Sequence, residues 1–197
     1  MKRIFDLLIS CILIVILFPV MILISIAIYI TMGSPIFFIQ TRPGLNNKLF
    51  RIIKFRTMTS KIYESDNHLS DHQRITKLGN FLRKTSLDEL PELINVLRGD
   101  MSIVGPRPLL VQYLKLYNNK QIKRHEMKPG ITGLSQINGR NQASWEKKFE
   151  LDIWYVENWS FFLDLKILIV TIYKVLTFHG VNQSKEITSE PFKGNQE

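Results

Sequence analysis

The chain opens with a long apolar segment. From Leu7 to Tyr29 no residue is charged, and the polar interruptions are Ser10 and Ser25, with Pro19 in the middle. A helix needs about 20 apolar residues to cross a bilayer, so this segment predicts a membrane helix. A secretory signal peptide is a poor alternative, because its apolar region spans about 7–15 residues and precedes a small-residue cleavage site.

The flanks of this segment bear on whether it crosses the membrane. Lys2 and Arg3 precede it, six Lys and Arg residues lie between positions 42 and 61, and no acidic residue occurs between Asp6 and Glu64. Basic flanks prefer the cytoplasmic side, and both flanks here are basic. Pro19 removes one backbone hydrogen bond and favours a kink. The residues alone leave two arrangements open: a hairpin-like helix that enters and leaves on one face, and an ordinary spanning anchor.

The next segments alternate between apolar and polar positions and predict a small β element. Residues 36–39 and 49–58 read as strands around the turn signal Arg42-Pro43-Gly44. Side chains alternate along a strand, so Lys54 and Arg56 would share one face. Residues 59–74 are polar and predict a loop or a short helix.

A helix is predicted after residue 85. Ser86 and Glu89 fit a capping box, and Gly99 supplies a stop. Apolar residues recur between them at helical spacing: Leu90, Leu93, Ile94 and Leu97. Asp88 and Glu89 would then lie at a helix N-terminus, where free N–H groups favour negative charge.

The second half of the chain alternates stiff loops with helical patterns. Pro106-Arg107-Pro108 predicts a rigid loop that displays one arginine, and residues 130–139 predict a glycine-rich loop. Residues 109–127 and 144–158 favour helices. Residues 161–178 are mostly apolar but contain three charged side chains, which favours an interfacial or packed helix over a second crossing. The pattern therefore predicts an α+β fold that is mostly helical.

Charge narrows the classes of partner. The chain has 26 Lys and Arg against 17 Asp and Glu, a net charge of +9, which favours an anionic partner such as nucleic acid, anionic lipid or a phosphorylated substrate. Its single cysteine, Cys11, excludes an internal disulfide and a cysteine-rich zinc site. The hydrophobic fraction of 45% excludes a wholly disordered chain.

Two groups of residues could carry chemistry. Asp88 and Glu89 could attack phosphorus or bind Mg²⁺, although an acidic pair can also simply cap a helix. Arginine and lysine side chains could bind phosphate oxygens, or they could face anionic lipids as a basic surface. These cations are Lys54, Arg56, Arg83, Arg107 and Arg140.

Several motifs, in order along the chain, resemble those of the bacterial sugar transferases. They are KFRTM at 54–58, LRKTSLDELPEL at 82–93, NVL at 95–97, GDMSIVGPRP at 99–108, PGITG at 129–133 and NGR at 138–140. From about residue 2 to about residue 178 the chain is similar to the polyprenyl-phosphate sugar-1-phosphate transferases, also called monotopic phosphoglycosyl transferases. Its length resembles the minimal members, which consist of the catalytic unit alone.

The resemblance implies an architecture with three parts. Residues 1–32 would form a re-entrant membrane helix broken at Pro19. The residue before this proline is Phe18 in this chain, whereas the family often has serine there. Residues 33–180 would form a catalytic domain with amphipathic interfacial helices on the cytoplasmic face of the bacterial inner membrane. Residues 181–197, which are polar, would form a disordered tail.

The resemblance also implies a reaction. A sugar-1-phosphate would pass from a nucleotide diphosphate sugar, usually a UDP-sugar, to polyprenyl phosphate with release of UMP, as the first membrane step of surface glycan synthesis. Asp88 matches the family's nucleophile and would also lie near Mg²⁺, and Glu89 matches its partner in the dyad. The positions implied for phosphate and nucleotide binding are Lys54, Arg56, Arg83, Arg107, Gln136, Asn138 and Arg140.

The implied partners are the UDP-sugar, polyprenyl phosphate and membrane lipids. Nucleic acid is not expected as a partner, and a homodimer stays open.

Two other functions compete with the transferase. A non-catalytic membrane protein could bind anionic lipid through its basic surface, and a hydrolase of lipid diphosphates would use similar side chains. Hexoses, N-acetylhexosamines and modified sugars all stay open as the transferred group.

Overall fold

The structure, a computed structural model, describes residues 1–59, 63–64, 67–68, 70–139, 143–177 and 191–195. Its helices and strands are α1 (Lys2–Met32), β1 (Phe37–Pro43), β2 (Leu49–Phe55), β3 (Tyr63–Glu64), β4 (Asn67–His68), α2 (Asp71–Arg74), α3 (Lys77–Thr85), α4 (Glu92–Arg98), β5 (Ser102–Val104), β6 (Gly130–Thr132), α5 (Leu134–Ile137), α6 (Trp145–Glu157) and α7 (Phe161–Leu176). Short 3₁₀ helices cover Leu45–Asn47, Leu87–Glu89, Val111–Lys115 and Gln121–His125. The predicted α+β class with mostly helical content is confirmed.

The β structure consists of three two-stranded sheets in the described ranges. Antiparallel β1 and β2 pair from Phe37 opposite Phe55 to Pro43 opposite Leu49. β3 and β4 form a second antiparallel pair, and β5 and β6 pair in parallel with Ser102 opposite Gly130. The β1–β2 hairpin packs on α4 and on the 3₁₀ helix Leu87–Glu89, and this packing brings Lys54 towards the acidic pair.

Helix α1 is apolar and largely exposed. Over the part of the chain that the structure describes, it is the one helix long and apolar enough to cross a membrane. Of its most apolar stretch of 18 residues, 11% is buried. α1 continues through Pro19 from Lys2 to Met32, so the helix is not interrupted at the proline. The kink expected there stays a prediction.

The N-terminal end of α1 is fastened to the rest of the protein. Arg3 donates hydrogen bonds to the last carbonyls of α4, those of Val96 and Leu97. The buried Asp6 accepts hydrogen bonds from the Ser102 hydroxyl and the Ile103 amide, each at 3.0 Å. These contacts join α1 to α4 and β5 through polar side chains.

The C-terminal end of α1 is fastened to the same body. Ile24 and Ile28 pack in a cluster with Phe55 and Leu82. Arg56 donates hydrogen bonds to the carbonyls of Met32 and Gly33, where the helix ends and its carbonyls lack partners within the helix. Both ends of α1 therefore contact one globular body, while its middle is exposed.

Helix α7 has a buried and an exposed side. Asp164 and Ile167 are buried on the inner side. Large apolar side chains are exposed on the other: Phe162, Ile169, Ile172, Tyr173 and Leu176. This is the distribution that the sequence predicted for an interfacial or packed helix.

Two local predictions are wrong, and each has a local cause. Ser86 has φ 58° and ends α3, without a side-chain hydrogen bond to a following helix, so the predicted capping box is absent. Pro91 lacks an N–H group and has a φ suited to a helix start, and α4 begins directly after it. Residues 109–127 form two 3₁₀ helices, because the Asn118 side chain accepts hydrogen bonds from the amides of Lys120 and Gln121 and replaces the helical pattern.

The last described residues are packed. Within the stretch expected to be a disordered tail, the structure describes residues 191–195, and Phe192 is only 5% exposed. It joins a hydrophobic cluster with Tyr113 and Phe149. This part of the tail therefore has a defined place on the domain.

Candidate active site

The acidic pair lies in a tight connection between two helices. Ser86 adopts a left-handed conformation after α3, and the 3₁₀ helix Leu87–Glu89 turns the chain towards α4. Asp88 is 9% exposed, and its carboxylate accepts no hydrogen bond from any residue in the described ranges. Its oxygens are not among the fully buried atoms that lack a hydrogen-bond partner, so they stay accessible to a ligand, while burial of the side chain disfavours the anionic form.

Glu89 joins two cations from distant parts of the chain. Its Oε1 atom lies 2.6 Å from Lys54 Nζ on β2 and 2.7 Å from Arg107 Nη2 in the Pro-Arg-Pro loop. Lys54 Nζ also lies 3.0 Å from Oε1 of Glu92, the first residue of α4. Three elements thus bring their charged groups together beside Asp88.

The two neighbouring carboxyl groups have opposite pKa perturbations. Burial raises the pKa of Asp88 to about 6, and the charge of Glu89 adds to this effect. Burial also opposes ionisation of Glu89, but the charges of Arg107 and Lys54 outweigh it and hold the pKa of Glu89 well below its ordinary value. At neutral pH Asp88 is mostly ionised but close to its titration range, while Glu89 stays a permanent anion.

Glu92 is a third carboxyl group of the cluster, which the sequence reasoning did not identify. Burial raises its pKa to about 7, against the charge of Lys54. The pKa of Lys54 itself is raised, because the attraction of Glu89 and Glu92 outweighs burial. Lys54 is therefore a fixed cation of the cluster.

Arg42 is a further cation near the cluster, which sequence reasoning used as a turn signal and as one of the basic flanking residues but not as a site residue. It lies on β1, four residues after Phe38, which pairs with Lys54, so both cations are on the same face of the hairpin. Burial, followed by the charge of Arg107, lowers the pKa of Arg42 to about 10. Arg42 makes no ion pair within the described ranges, and its buried Nε has no hydrogen-bond partner there. Arg42 and Arg107 repel each other, so an anion bound near both side chains would relieve this repulsion.

The cations predicted from the sequence do not all lie in one cluster. Arg83 on α3 donates from Nε to the Thr57 hydroxyl at 2.9 Å, and its charge also acts on Asp88. Arg56 follows the last residue of β2 and turns to the end of α1, so it does not share its partners with Lys54. Lys54 and Arg56 therefore bind different partners, and Arg56 does not join the cluster around Glu89.

The residues that the resemblance implied for nucleotide binding make hydrogen bonds to the backbone of their own segment. Gln136 donates to the Ile131 carbonyl at 3.0 Å, and Asn138 donates to the Leu134 carbonyl at 2.8 Å. Arg140, named with them, lies outside the described residues. The structure gives neither Gln136 nor Asn138 a contact with Asp88 or Glu89.

The backbone of the Pro-Arg-Pro loop is held by buried charges that sequence reasoning missed. Arg124 Nη2 donates to the Arg107 carbonyl at 2.7 Å and to Asp152 Oδ2 on α6 at 2.6 Å. Ser135 donates to the other Asp152 oxygen at 2.7 Å. Arg124 and Asp152 are 28 positions apart, and no local pattern in the sequence connects them.

Two glycines let the Pro-Arg-Pro loop pass close to the glycine-rich segment. A Cβ atom at Gly130 would lie 2.0 Å from the Gly105 nitrogen, and one at Gly105 would lie 2.4 Å from the Lys128 carbonyl oxygen. Neither position has room for a side chain. This close approach explains the glycines of both motifs and fixes the start of the Arg107 loop.

The donor atoms at the site fit a magnesium ion only together with a substrate. No group of three His, Cys, Asp or Glu side chains that could enclose a metal occurs among residues 1–59, 73–139, 143–177 and 191–195. Mg²⁺ is commonly bound through one or two carboxylates plus substrate phosphates. Asp88, with its carboxylate free of hydrogen bonds, is the oxygen donor that suits such an arrangement.

Comparison with known proteins identifies the class of this chain. A family model described as bacterial sugar transferase matches residues 1–178, and the chain belongs to that family, which makes it an enzyme of the sugar-1-phosphate transferase type. It is 55% identical over 200 residues to the uncharacterized sugar transferase EpsL of Bacillus subtilis (strain 168), covering 99% of this chain and 96% of that protein.

Other relatives have more specific names. The chain is 41% identical over 185 residues to the UDP-glucose:undecaprenyl-phosphate glucose-1-phosphate transferase of Klebsiella pneumoniae, across 88% of this chain and 39% of that enzyme. It is 38% identical over 196 residues to the exopolysaccharide production protein ExoY of Rhizobium meliloti (strain 1021), across 91% of this chain and 87% of that protein. The chain thus spans about two fifths of the Klebsiella enzyme and nearly all of the two shorter relatives.

Proposed function

We propose that this protein transfers a sugar-1-phosphate from a UDP-sugar to polyprenyl phosphate, releases UMP, and uses Asp88 as the nucleophile. The observation that carries the proposal is the buried Asp88 carboxylate, free of hydrogen bonds in the described ranges, beside a Glu89 that is paired with Lys54 and Arg107. Helix-capping side chains are typically hydrogen-bonded to backbone N–H groups, and neither the 3₁₀ helix Leu87–Glu89 nor α4 has a side-chain cap hydrogen bond. This argues against the simple capping interpretation.

The reaction has two displacements at one phosphorus atom. An Asp88 oxygen attacks the phosphorus that bears the sugar, the bond to the UMP oxygen breaks, and the electron pair leaves with UMP. A phosphate oxygen of the polyprenyl acceptor then attacks the same phosphorus and releases Asp88 as a carboxylate. The covalent intermediate lets a soluble donor and a lipid acceptor use one site in turn.

The neighbouring residues stabilise negative charge rather than move protons. Arg107, Lys54 and Arg83 surround the acidic pair and would attract the donor diphosphate. Glu89 stays ionised because of its lowered pKa, so it suits the fixing of Lys54 and Arg107 better than general acid catalysis. Arg42 adds a further cation to the same side.

Magnesium belongs to this proposal. Asp88 would hold the ion together with phosphate oxygens of the donor, and the ion would neutralise charge on the departing UMP. The protein's own part is to keep the Asp88 carboxylate free of competing hydrogen bonds and to orient the cations.

The same proposal places α1 as a re-entrant helix at the cytoplasmic face of the inner membrane. Its two ends are fastened to one polar body, through Arg3 at the start and through Arg56 at the end. A helix that crosses the bilayer would need those ends on opposite sides of about 30 Å of hydrocarbon. The exposed apolar side of α7 would rest at the same interface, where the polyprenyl acceptor resides.

The test is UMP release by purified protein in detergent, with Mg²⁺ and undecaprenyl phosphate. UDP-glucose and UDP-galactose come first in the donor panel, because relatives are named for glucose-1-phosphate transfer and as a UDP-galactose-lipid carrier transferase. We expect UMP from one donor and none from Asp88→Asn. Incubation with donor alone should add one sugar phosphate to the intact mass of the wild type.

The competing functions give different results. Full activity of Asp88→Asn would exclude the proposed nucleophile. A lipid diphosphate hydrolase would release inorganic phosphate without any UDP-sugar. A non-catalytic lipid-binding protein would show salt-sensitive vesicle binding, with no UMP from any donor.

A further inference from the structure

The described end of the chain, residues 191–195, occupies a site built for it; we name this segment the C-terminal latch. Its Phe192 ring lies against four aromatic rings, which we name the aromatic cage: Tyr113, Tyr117, Trp145 and Phe149. The ring centroids are 5.0 Å apart for Phe149 and 5.6 Å for Trp145, within the range of favourable aromatic pairs. Phe192 itself is 5% exposed.

Polar contacts add specificity to the latch. The Phe192 amide donates to the Tyr113 hydroxyl at 3.2 Å. Asn195 accepts from the Gln121 side-chain amide at 2.7 Å and donates to the Leu116 carbonyl at 3.1 Å. An apolar anchor with directed hydrogen bonds on both sides is characteristic of a specific docking site rather than of a chain end that rests on a surface.

Two rings of the aromatic cage also contact the arginine that supports the active-site loop. The Arg124 guanidinium lies 5.8 Å from the Phe149 ring centroid and 6.0 Å from that of Tyr117. Both rings also contact Phe192. Arg124 in turn donates to the Arg107 carbonyl at 2.7 Å, and Arg107 contacts Glu89 at 2.7 Å.

We propose that the C-terminal latch is a positioning element of the active site: Phe192 fixes the aromatic cage, the cage fixes Arg124, and Arg124 fixes the backbone of Arg107. Phe192 does not touch the reacting atoms and is a positioning residue. Without it, Tyr113, Tyr117 and Phe149 lose a ring packed against each of them, while the segment from Val111 to His125 keeps its hydrogen bonds with Asn195. This inference rests on the proposed function for its effect on activity, while its effect on structure can be measured independently.

The experiment compares Phe192→Ala with Lys193→Ala in the full chain. Lys193 is exposed and lies in the same segment, which makes it the matched control. Hydrogen exchange monitored by mass spectrometry should show faster exchange at residues 105–125 in Phe192→Ala, with α1 and the β1–β2 hairpin unchanged. A displaced catalytic group can cost up to about 100-fold in rate, and we expect a loss of about 10-fold in kcat/KM for the UDP-sugar.

Two further variants separate positioning from general stability. Phe192→Leu keeps an apolar side chain in the cage and should recover part of the activity. Asn195→Ala removes polar contacts without leaving a cavity in the cage, and should give a smaller loss in the same direction even if Phe192→Ala does not fold. Activities are compared well below the melting temperature of each variant.

Three outcomes would overturn the proposal. The first is wild-type kcat/KM in both Phe192→Ala and Asn195→Ala. The second is an exchange increase spread evenly over the chain, and the third is equal losses in Phe192→Ala and Lys193→Ala. If the wild type releases no UMP from any donor, the proposed function is wrong, and the exchange data alone still show whether the latch fixes residues 105–125.

Discussion

Replacing Asp88 with asparagine should make the protein more stable at neutral pH while abolishing turnover. The pKa of Asp88 is raised from its ordinary value of 3.8 to about 6 in the folded state, first by burial and then by Glu89. Between these two pH values the folded state keeps a proton that the unfolded state has released. Stability therefore falls as the pH rises through this window, and the loss is complete above pH 6.

The magnitude follows from the same values. A pKa difference of about 2.2 corresponds to about 3 kcal/mol at about 1.4 kcal/mol per pH unit. Asparagine resembles the protonated carboxyl group and does not carry this cost. For a chain of this size 1 kcal/mol shifts the melting temperature by roughly 2–4 °C, so we expect Asp88→Asn to melt up to about 10 °C higher at pH 8.

Thermal unfolding in detergent at pH 4 and pH 8 measures this effect. The gain should be present at pH 8 and should largely disappear at pH 4, where the wild-type carboxyl group is itself protonated. Glu150→Gln is the control, because the Glu150 side chain is 66% exposed and forms an exposed ion pair with Lys147 one turn earlier on α6. No gain at pH 8, or an equal gain at both pH values, would refute the argument that buried charge on Asp88 is costly.

Three further predictions concern neighbouring features of the site. Glu89→Gln removes a charge that raises the pKa of Asp88, so the acidic limb of first-turnover UMP release should move to lower pH; an unchanged limb would exclude electrostatic coupling within the pair. Arg42→Gln should raise KM for the UDP-sugar by at least about 5-fold, as expected for the loss of roughly 1 kcal/mol of charge-assisted binding, whereas Lys48→Gln on the same hairpin should leave it unchanged. Single cysteines at positions 1 and 34, in a Cys11→Ser background, should both react with an impermeant maleimide from the cytoplasmic side only; labelling from opposite sides would exclude the re-entrant helix.

The sequence predicted those features that depend on local patterns. The apolar run of α1, the helix of residues 144–158 and the amphipathic α7 are visible in hydrophobic periodicity alone, and the structure confirms each as a helix. The motif resemblance also singled out Asp88 and Glu89, and the structure places them beside Lys54 and Arg107.

The parts that could not be predicted depend on contacts between distant residues. Arg124 and Asp152 look like ordinary surface charges in the sequence, yet their side chains are 1% and 3% exposed and hold the Arg107 loop. Phe192 stands alone in a polar stretch, so composition predicts disorder, and only the four rings from other segments explain its burial. Arg56 belongs to a basic motif, but its position one residue beyond β2 directs it to the end of α1.

The polar contacts at the start of α1 make this end of the helix an integral part of the domain and not a detachable anchor. Lys2 Nζ lies 2.5 Å from Asp164, which is 1% exposed, and it also donates to the Val104 carbonyl. A chain that starts at residue 33 would leave Asp164 as a buried charge without its cation, a loss that typically costs about 3–5 kcal/mol. Soluble versions made by deleting the hydrophobic segment should therefore misfold, and a tag fused directly ahead of Lys2 should sit at the junction of α1, α6 and α7. Attempts to produce this enzyme for crystallisation should keep the whole helix and place the tag behind a spacer.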